Sequence, residues 1–152
     1  MAIIALAFFI GVLNGLRSFT PPAVAAWSAH LRWIKPPGAV ALIGSGPVVA
    51  IFTLLAAFEL YADKTPWIPN RTSAMSLLLR CLMGALTGAC VAAAGGQSAS
   101  VGAVCGVAGG IAGAFAGFHA RVRFARAVAS DIYVALVEDF ICVAGAVWVF
   151  LP

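Results

Sequence analysis

Long apolar runs, cut at proline and glycine, constrain this chain most, because about 20 apolar residues is what a helix needs to cross the hydrocarbon of a bilayer. Five such runs can be read: Ala2 to about Thr20, Ala39 to Leu60, Ala74 to Ala94, Ala99 to Phe118, and about Asp131 to Leu151. The first is expected to stop at Pro21–Pro22, since proline lacks an amide donor and restricts the residue before it. Ala23 to Trp33 reads as a short extra helix with Trp27 and Trp33 at headgroup depth. Pro36-Pro37-Gly38 is a firm break, and Gly44-Ser45-Gly46-Pro47 is placed to kink or unwind the second run. Residues 61–73 read as a loop, and Gly95-Gly96-Gln97-Ser98 as a tight turn.

The expected fold is therefore all-α: a polytopic integral membrane bundle of about five transmembrane helices. Residues 1–152 form one transmembrane domain, with its first helix broken at Pro21–Pro22. Composition agrees, because the chain is 63% hydrophobic and only 9% charged, against roughly a quarter charged in soluble domains. The net charge of +4 suits loops on an anionic leaflet, and the lack of a basic stripe with interleaved aromatics excludes nucleic acid. Met1 to Leu13 lacks a basic n-region, and Arg17 with Pro21–Pro22 interrupts any approach to a cleavage site. The segment therefore reads as a retained span rather than a signal peptide. Cys81, Cys90, Cys105 and Cys142 are scattered singly and read as small packing residues.

Lys64, Arg71, Arg121, Arg123 and Arg126 fall in two loops, against Arg32 and Lys35 elsewhere. By the positive-inside rule, the 61–73 and 119–129 loops face the cytoplasm. With five spans the N-terminus shares that side and the C-terminus lies opposite. Gly84 and Gly88, Gly102, Gly106 and Gly110, and Gly109, Gly113 and Gly117 put glycine at four-residue spacing in the third and fourth runs. Such spacing lets backbones approach closely, within one chain or in a homo-oligomer. Gly11-xxx-Gly15-Leu-Arg17 echoes Gly113-xxx-Gly117-Phe-His119. In a five-span path these two units run in opposite directions, as in inverted repeats.

The acids are five: Glu59, Asp63, Asp131, Glu138 and Asp139. All lie in or near apolar runs, where a carboxylate costs at least ~2.5 kcal/mol, so such groups pair, line a wet cavity or handle an ion. Glu59 and Asp63, four apart, share a helix face, with Lys64 and Arg71 close behind. They read as interfacial ion pairs or as the mouth of a cation or proton path. Glu138 lies seven residues, or about 10 Å, into the last run, on nearly the face of Asp131. Arg80 starts from a similar depth and is the expected partner of Glu138 or Asp139. Asn14, Arg17 and Ser18 form a polar edge on the first run and are assigned to the opposite mouth. His30 and His119 are isolated, and no metal or cofactor is expected. Motifs for hydrolases, nucleotide loops and zinc sites are missing, so the chain is not read as an enzyme.

Three separated stretches carry a resemblance: Gly15-Leu-Arg-Ser-Phe-Thr-Pro-Pro-Ala-Val24; Glu59-Leu-Tyr-Ala-Asp-Lys-Thr-Pro66 with Pro69-Asn-Arg-Thr72; and Ser130-Asp-Ile-Tyr-Val-Ala-Leu-Val-Glu-Asp139. With these, nearly the whole chain resembles a bacterial family of small multi-pass membrane proteins known as domain of unknown function 4126. Ser130 stands where that pattern leads one to expect proline. The resemblance implies a self-contained domain of the bacterial inner membrane and names no reaction. The leading expectation is a polar site between helices that carries an ion or small solute, built from Glu59, Asp63, Arg80, Asp131, Glu138 and Asp139. The alternatives are a non-transporting scaffold, with the same residues as structural pairs, and a lipid-phosphate handler using Arg17, Arg80 and the basic loop.

Overall fold

A computed structural model describes residues 1–62, 74–125 and 131–151, with the side chains of residues 121, 122, 124–125 and 131–134 outside that description. Asp63, Lys64, Arg71 and Ser130 thus lie outside the described residues, as does the Asp131 side chain. The described residues are all-helical: α1 (Ala2–Leu16), α2 (Thr20–His30), a 3-10 segment (Gly38–Gly44), α3 (Gly46–Ala62), α4 (Ala74–Ala94), α5 (Ala99–Ala125) and α6 (Asp131–Phe150). No strand occurs among them.

Two helices are long and apolar enough to cross a membrane, Ala74–Ala94 and Ala99–Ala120. A third joins them if the 3-10 segment and α3, bent by 62°, count as one span. α1, at 15 residues, is a shorter apolar helix.

Pro21–Pro22 does not end the first helix as the sequence led one to expect. α1 stops at Leu16, Arg17 is extended (φ −136°, ψ 123°), and the prolines occupy the first positions of α2. Both outcomes follow from the same chemistry: proline has no N–H to offer inside a helix, and at a helix start no intrahelical partner awaits one.

Helix directions follow from the contacts. Ser18 and Phe19 meet Glu59, Trp27 meets Thr53, and His30 meets Gly44, so α2 and α3 are antiparallel. Gly11 lies on Gly106 and Gly15 on Gly113–Ala114, which makes α1 and α5 parallel. Gly84 lies on Gly106 and Gly88 on Gly102, which makes α4 and α5 antiparallel. Against α1, α6 is antiparallel: Asp139 meets Arg17, Cys142 Sγ is 3.6 Å from the Leu13 carbonyl, and Trp148 stacks edge-on to Phe9. The first helix thus begins at the same end as the Gly95–Ser98 turn, where Gly95 touches Ile3. The sequence reading put the N-terminus at the end of the 61–73 loop and set the two glycine units antiparallel. Both points are corrected, because α2 turns the chain back and adds one reversal.

α5 packs most extensively on α1 and then on α4. Its glycines permit this. An added Cβ at Gly109 or Gly113 would overlap the carbonyl of Phe8 or Val12 on α1. One at Gly102 or Gly106 would overlap the carbonyl of Gly88 or Gly84 on α4. The neighbours of these glycines are other helices of the same chain. Dispersion across such backbone contacts holds helices together where lipid offers no hydrophobic gain.

Gly106→Ala is expected to destabilise the fold by about 1–3 kcal/mol, the usual cost of overpacking, because its methyl meets backbone that cannot rotate away. Gly46→Ala, with open space around the added carbon, should leave the thermal midpoint nearly unchanged. Thermal unfolding of both variants in one detergent measures the difference.

Candidate functional site: a charged cluster at the α1–α2 break

A helix break leaves carbonyls at the end of one helix and amides at the start of the next without intrahelical partners. Away from water each must be matched. At this break the matching is done largely by charged side chains from other helices. Arg80 of α4, 6% exposed, donates from its guanidinium to the Gly15 carbonyl and, through Nε, to Ser76 Oγ at 3.2 Å. Glu59, near the end of α3, accepts the Ser18 amide on one carboxylate oxygen at 2.6 Å and the Phe19 amide on the other at 2.9 Å. Pro21 and Pro22 bring no amide at all, and the Ala23 amide closes the first turn on the Phe19 carbonyl at 3.0 Å. Each charge also has the favourable sign for its helix dipole: a cation at the C-terminal end of α1 and an anion at the N-terminal end of α2.

Arg17, in the break itself, is 1% exposed and forms an ion pair with Asp139 of α6. Glu138, beside it, is 8% exposed and has its own interaction. One turn below the break, Asn14 is fully buried and donates from Nδ2 to Thr87 Oγ1 at 2.7 Å and to the Ile10 carbonyl at 2.8 Å. Thr87 in turn donates to the Met83 and Gly84 carbonyls at 3.0 and 3.3 Å. Among the described residues, Asn14 Oδ1 and Thr20 Oγ1 are buried without a hydrogen-bond partner.

The structure therefore brings Arg17 and Ser18 into direct contact with Asp139 and Glu59, where the sequence reading set them at opposite mouths. The returning α2–α3 pair carries Glu59 back to the end of α1, so both groups meet at one end of the bundle. Asp139 pairs with Arg17 rather than Arg80, and Arg80 donates to Gly15 and Ser76. Asp63 and the Asp131 side chain, also assigned to the site, lie outside the described residues. Thr87 and Ser76 were missed. Thr87 lies between Gly84 and Gly88 on the inner face of α4, a spacing that could have pointed to it. Among the described residues no group of three or more His, Cys, Asp or Glu is arranged to hold a metal ion.

Removing one member of a buried pair strands the other charge, typically at about 3–5 kcal/mol, whereas replacing both can be nearly neutral. Arg17→Met is therefore expected to be much less stable than Arg17→Met combined with Asp139→Leu. Arg80→Met should show no comparable rescue by Asp139→Leu. A double-mutant cycle on detergent-solubilised protein reads both couplings.

Residues 4–152, nearly the whole chain, match the family model described as Domain of unknown function (DUF4126). No curated protein matches the chain, and no solved structure does. A match across the break, the α3 end and the start of α6 covers every element that builds the cluster, and the protein belongs to the DUF4126 family.

Proposed function

We propose that this is a multi-pass protein of the bacterial inner membrane whose charged cluster locks the helices together, and that it serves as a membrane-embedded scaffold rather than as a carrier. The observation that carries this reading is the accounting at the break. Arg17, Glu59, Arg80, Glu138 and Asp139 all have partners within the chain, and they gather near one end of the bundle. A carrier needs charged groups available to a solute along a path joining both faces. A lipid-phosphate site built on Arg17 and Arg80 needs those cations free, and both are committed to protein.

In this reading α1, α2 with the residues that follow it, the bent segment through α3, α4, α5 and α6 each traverse the membrane, six passes in all. α2 is 11 residues long, about 16 Å of helix, and residues 31–37 complete its return to the face on which α1 begins. The basic stretches at 61–73 and 119–129, the second of which begins within α5, face the cytoplasm, and both termini lie outside.

A second reading keeps the site open to a small cation or polar solute. It is favoured by Asn14 Oδ1 and Thr20 Oγ1, two buried oxygens with no hydrogen-bond donor, since buried acceptors ordinarily find one.

Topology is tested on a chain whose native cysteines are replaced. Ala2→Cys and Gln97→Cys should label from one side and Ser73→Cys from the other; labelling of Ala2→Cys with Ser73→Cys would restore the odd-span path. The choice between readings is tested by thermal unfolding in sodium, potassium or choline chloride at equal ionic strength. The lock predicts one midpoint in all three. A saturable, cation-specific rise that Thr20→Val removes would replace the lock with the ion site.

A further inference from the structure

Two helices of this chain end in the same way, with one difference. At the end of α4 the Gly96 amide bonds the Ala93 carbonyl at 3.1 Å, and the Gln97 amide bonds the Ala92 carbonyl at 2.8 Å. Gly96 holds a φ of +74° between them. This is the Schellman ending, whose left-handed position favours glycine. At the end of α2 the Arg32 amide bonds the Ala29 carbonyl at 3.1 Å and the Trp33 amide bonds the Ser28 carbonyl at 2.9 Å. Here the left-handed residue, with φ +62°, is Arg32. A β-carbon is strained in that conformation and glycine is not. The arginine thus sits where glycine would fold more easily, and strain of that kind is an observation from which a role can be sought.

The side chain's surroundings supply one. Arg32 borders a cavity of about 360 Å³ lined by Ala29, Arg32, Ile34, Lys35, Pro36 and Ala41, within the range of small-ligand pockets, roughly 300–1,000 Å³. Two of the six lining residues are cations and none is an acid. Among the described residues neither cation forms an ion pair. The walls are fixed: His30 Nδ1 lies 2.9 Å from the Gly44 carbonyl, and Gly44 abuts Ala29, tying the 3-10 segment to the end of α2. Gly46 and Glu59 are 13 residues apart along α3, about 20 Å, so the acidic cluster lies at the other end of the bundle. Trp27 and Trp33, close to the lining residues in sequence, are 44% and 41% exposed, as aromatic residues at a membrane interface are.

We infer that this cavity binds an anionic phosphate group. The Arg32 guanidinium fork and the Lys35 ammonium take the phosphate oxygens, and the apolar remainder of the ligand lies on Ile34 and Ala41. A phospholipid headgroup and a free phosphate present this same chemistry, and the experiment separates them.

The purified full chain, in a non-ionic detergent, is titrated with short-chain phosphatidylglycerol, short-chain phosphatidylcholine or inorganic phosphate, with the thermal midpoint as readout. A ligand that binds only the folded state raises it. Phosphatidylglycerol is expected to raise it saturably and phosphatidylcholine much less, because the choline cation is repelled. An equal rise with inorganic phosphate identifies a free anion as sufficient; a rise with phosphatidylglycerol alone identifies a lipid headgroup. Arg32→Gly should fold with an unliganded midpoint at or above the parent's, since it relieves the left-handed strain, yet bind at least about tenfold more weakly, as loss of a charge-assisted contact requires. Lys35→Gln should weaken binding in the same direction. No rise with either anion, an equal rise with phosphatidylcholine, or parent-like binding by both variants would overturn the inference.

Discussion

Backbone groups at a helix break must find partners when no water is at hand, and the break between α1 and α2 sets the terms for the rest of this structure. Two prolines remove two amides, Glu59 takes two more, and Arg80 covers the Gly15 carbonyl. Each remedy reaches in from a different place in the chain. α3 must return to the level of α1's end for Glu59 to serve, and α4 must begin there for Arg80 to serve. The antiparallel course of α2 and α3 makes both possible. The charges that look out of place in apolar helices are thus explained first by backbone chemistry, before any ligand is invoked.

Reaching that backbone depends on how closely the helices approach. Arg80 meets a main-chain carbonyl of α1 because α1, α4 and α5 pack with backbone nearly on backbone at Gly11, Gly84 and Gly106. Larger residues there would push α4 outward and take the guanidinium with it. Glycine lowers the intrinsic stability of a helix, and the return lies in contacts of this kind, which lipid cannot compete for by hydrophobicity. The Arg17–Asp139 pair then fastens α6 to the assembly. Paired buried charges add little net stability but are costly to break singly, which suits an element whose task is to hold one arrangement.

The two ends of the bundle differ in chemistry. At one, acids and arginines satisfy each other and the backbone. At the other, Arg32 and Lys35 border a cavity without a carboxylate among its lining residues. The protein is therefore better described by the contrast between a paired polar end and a basic one than by its interior acids alone.

Much of the helix list was legible in the residues. Ala74–Ala94 and the Gly95–Ser98 turn follow from apolar length and glycine chemistry, which are local. So does the unwinding before Pro47, seen as the 3-10 segment and the 62° bend. The sequence also marked Arg17, Glu59, Arg80, Glu138 and Asp139 as residues in need of partners, because charge in an apolar run is costly wherever it falls. It did not assign those partners. Whether Pro21–Pro22 ends one helix or begins another is undecided by proline's own chemistry, which permits both, and on that choice depends how many times the chain reverses. Only the tertiary structure decided it, since the answer lay in Glu59, on another helix, being within reach of the Ser18 and Phe19 amides. Local sequence states what each group requires; the packing of helices distant in the chain determines which group meets the requirement.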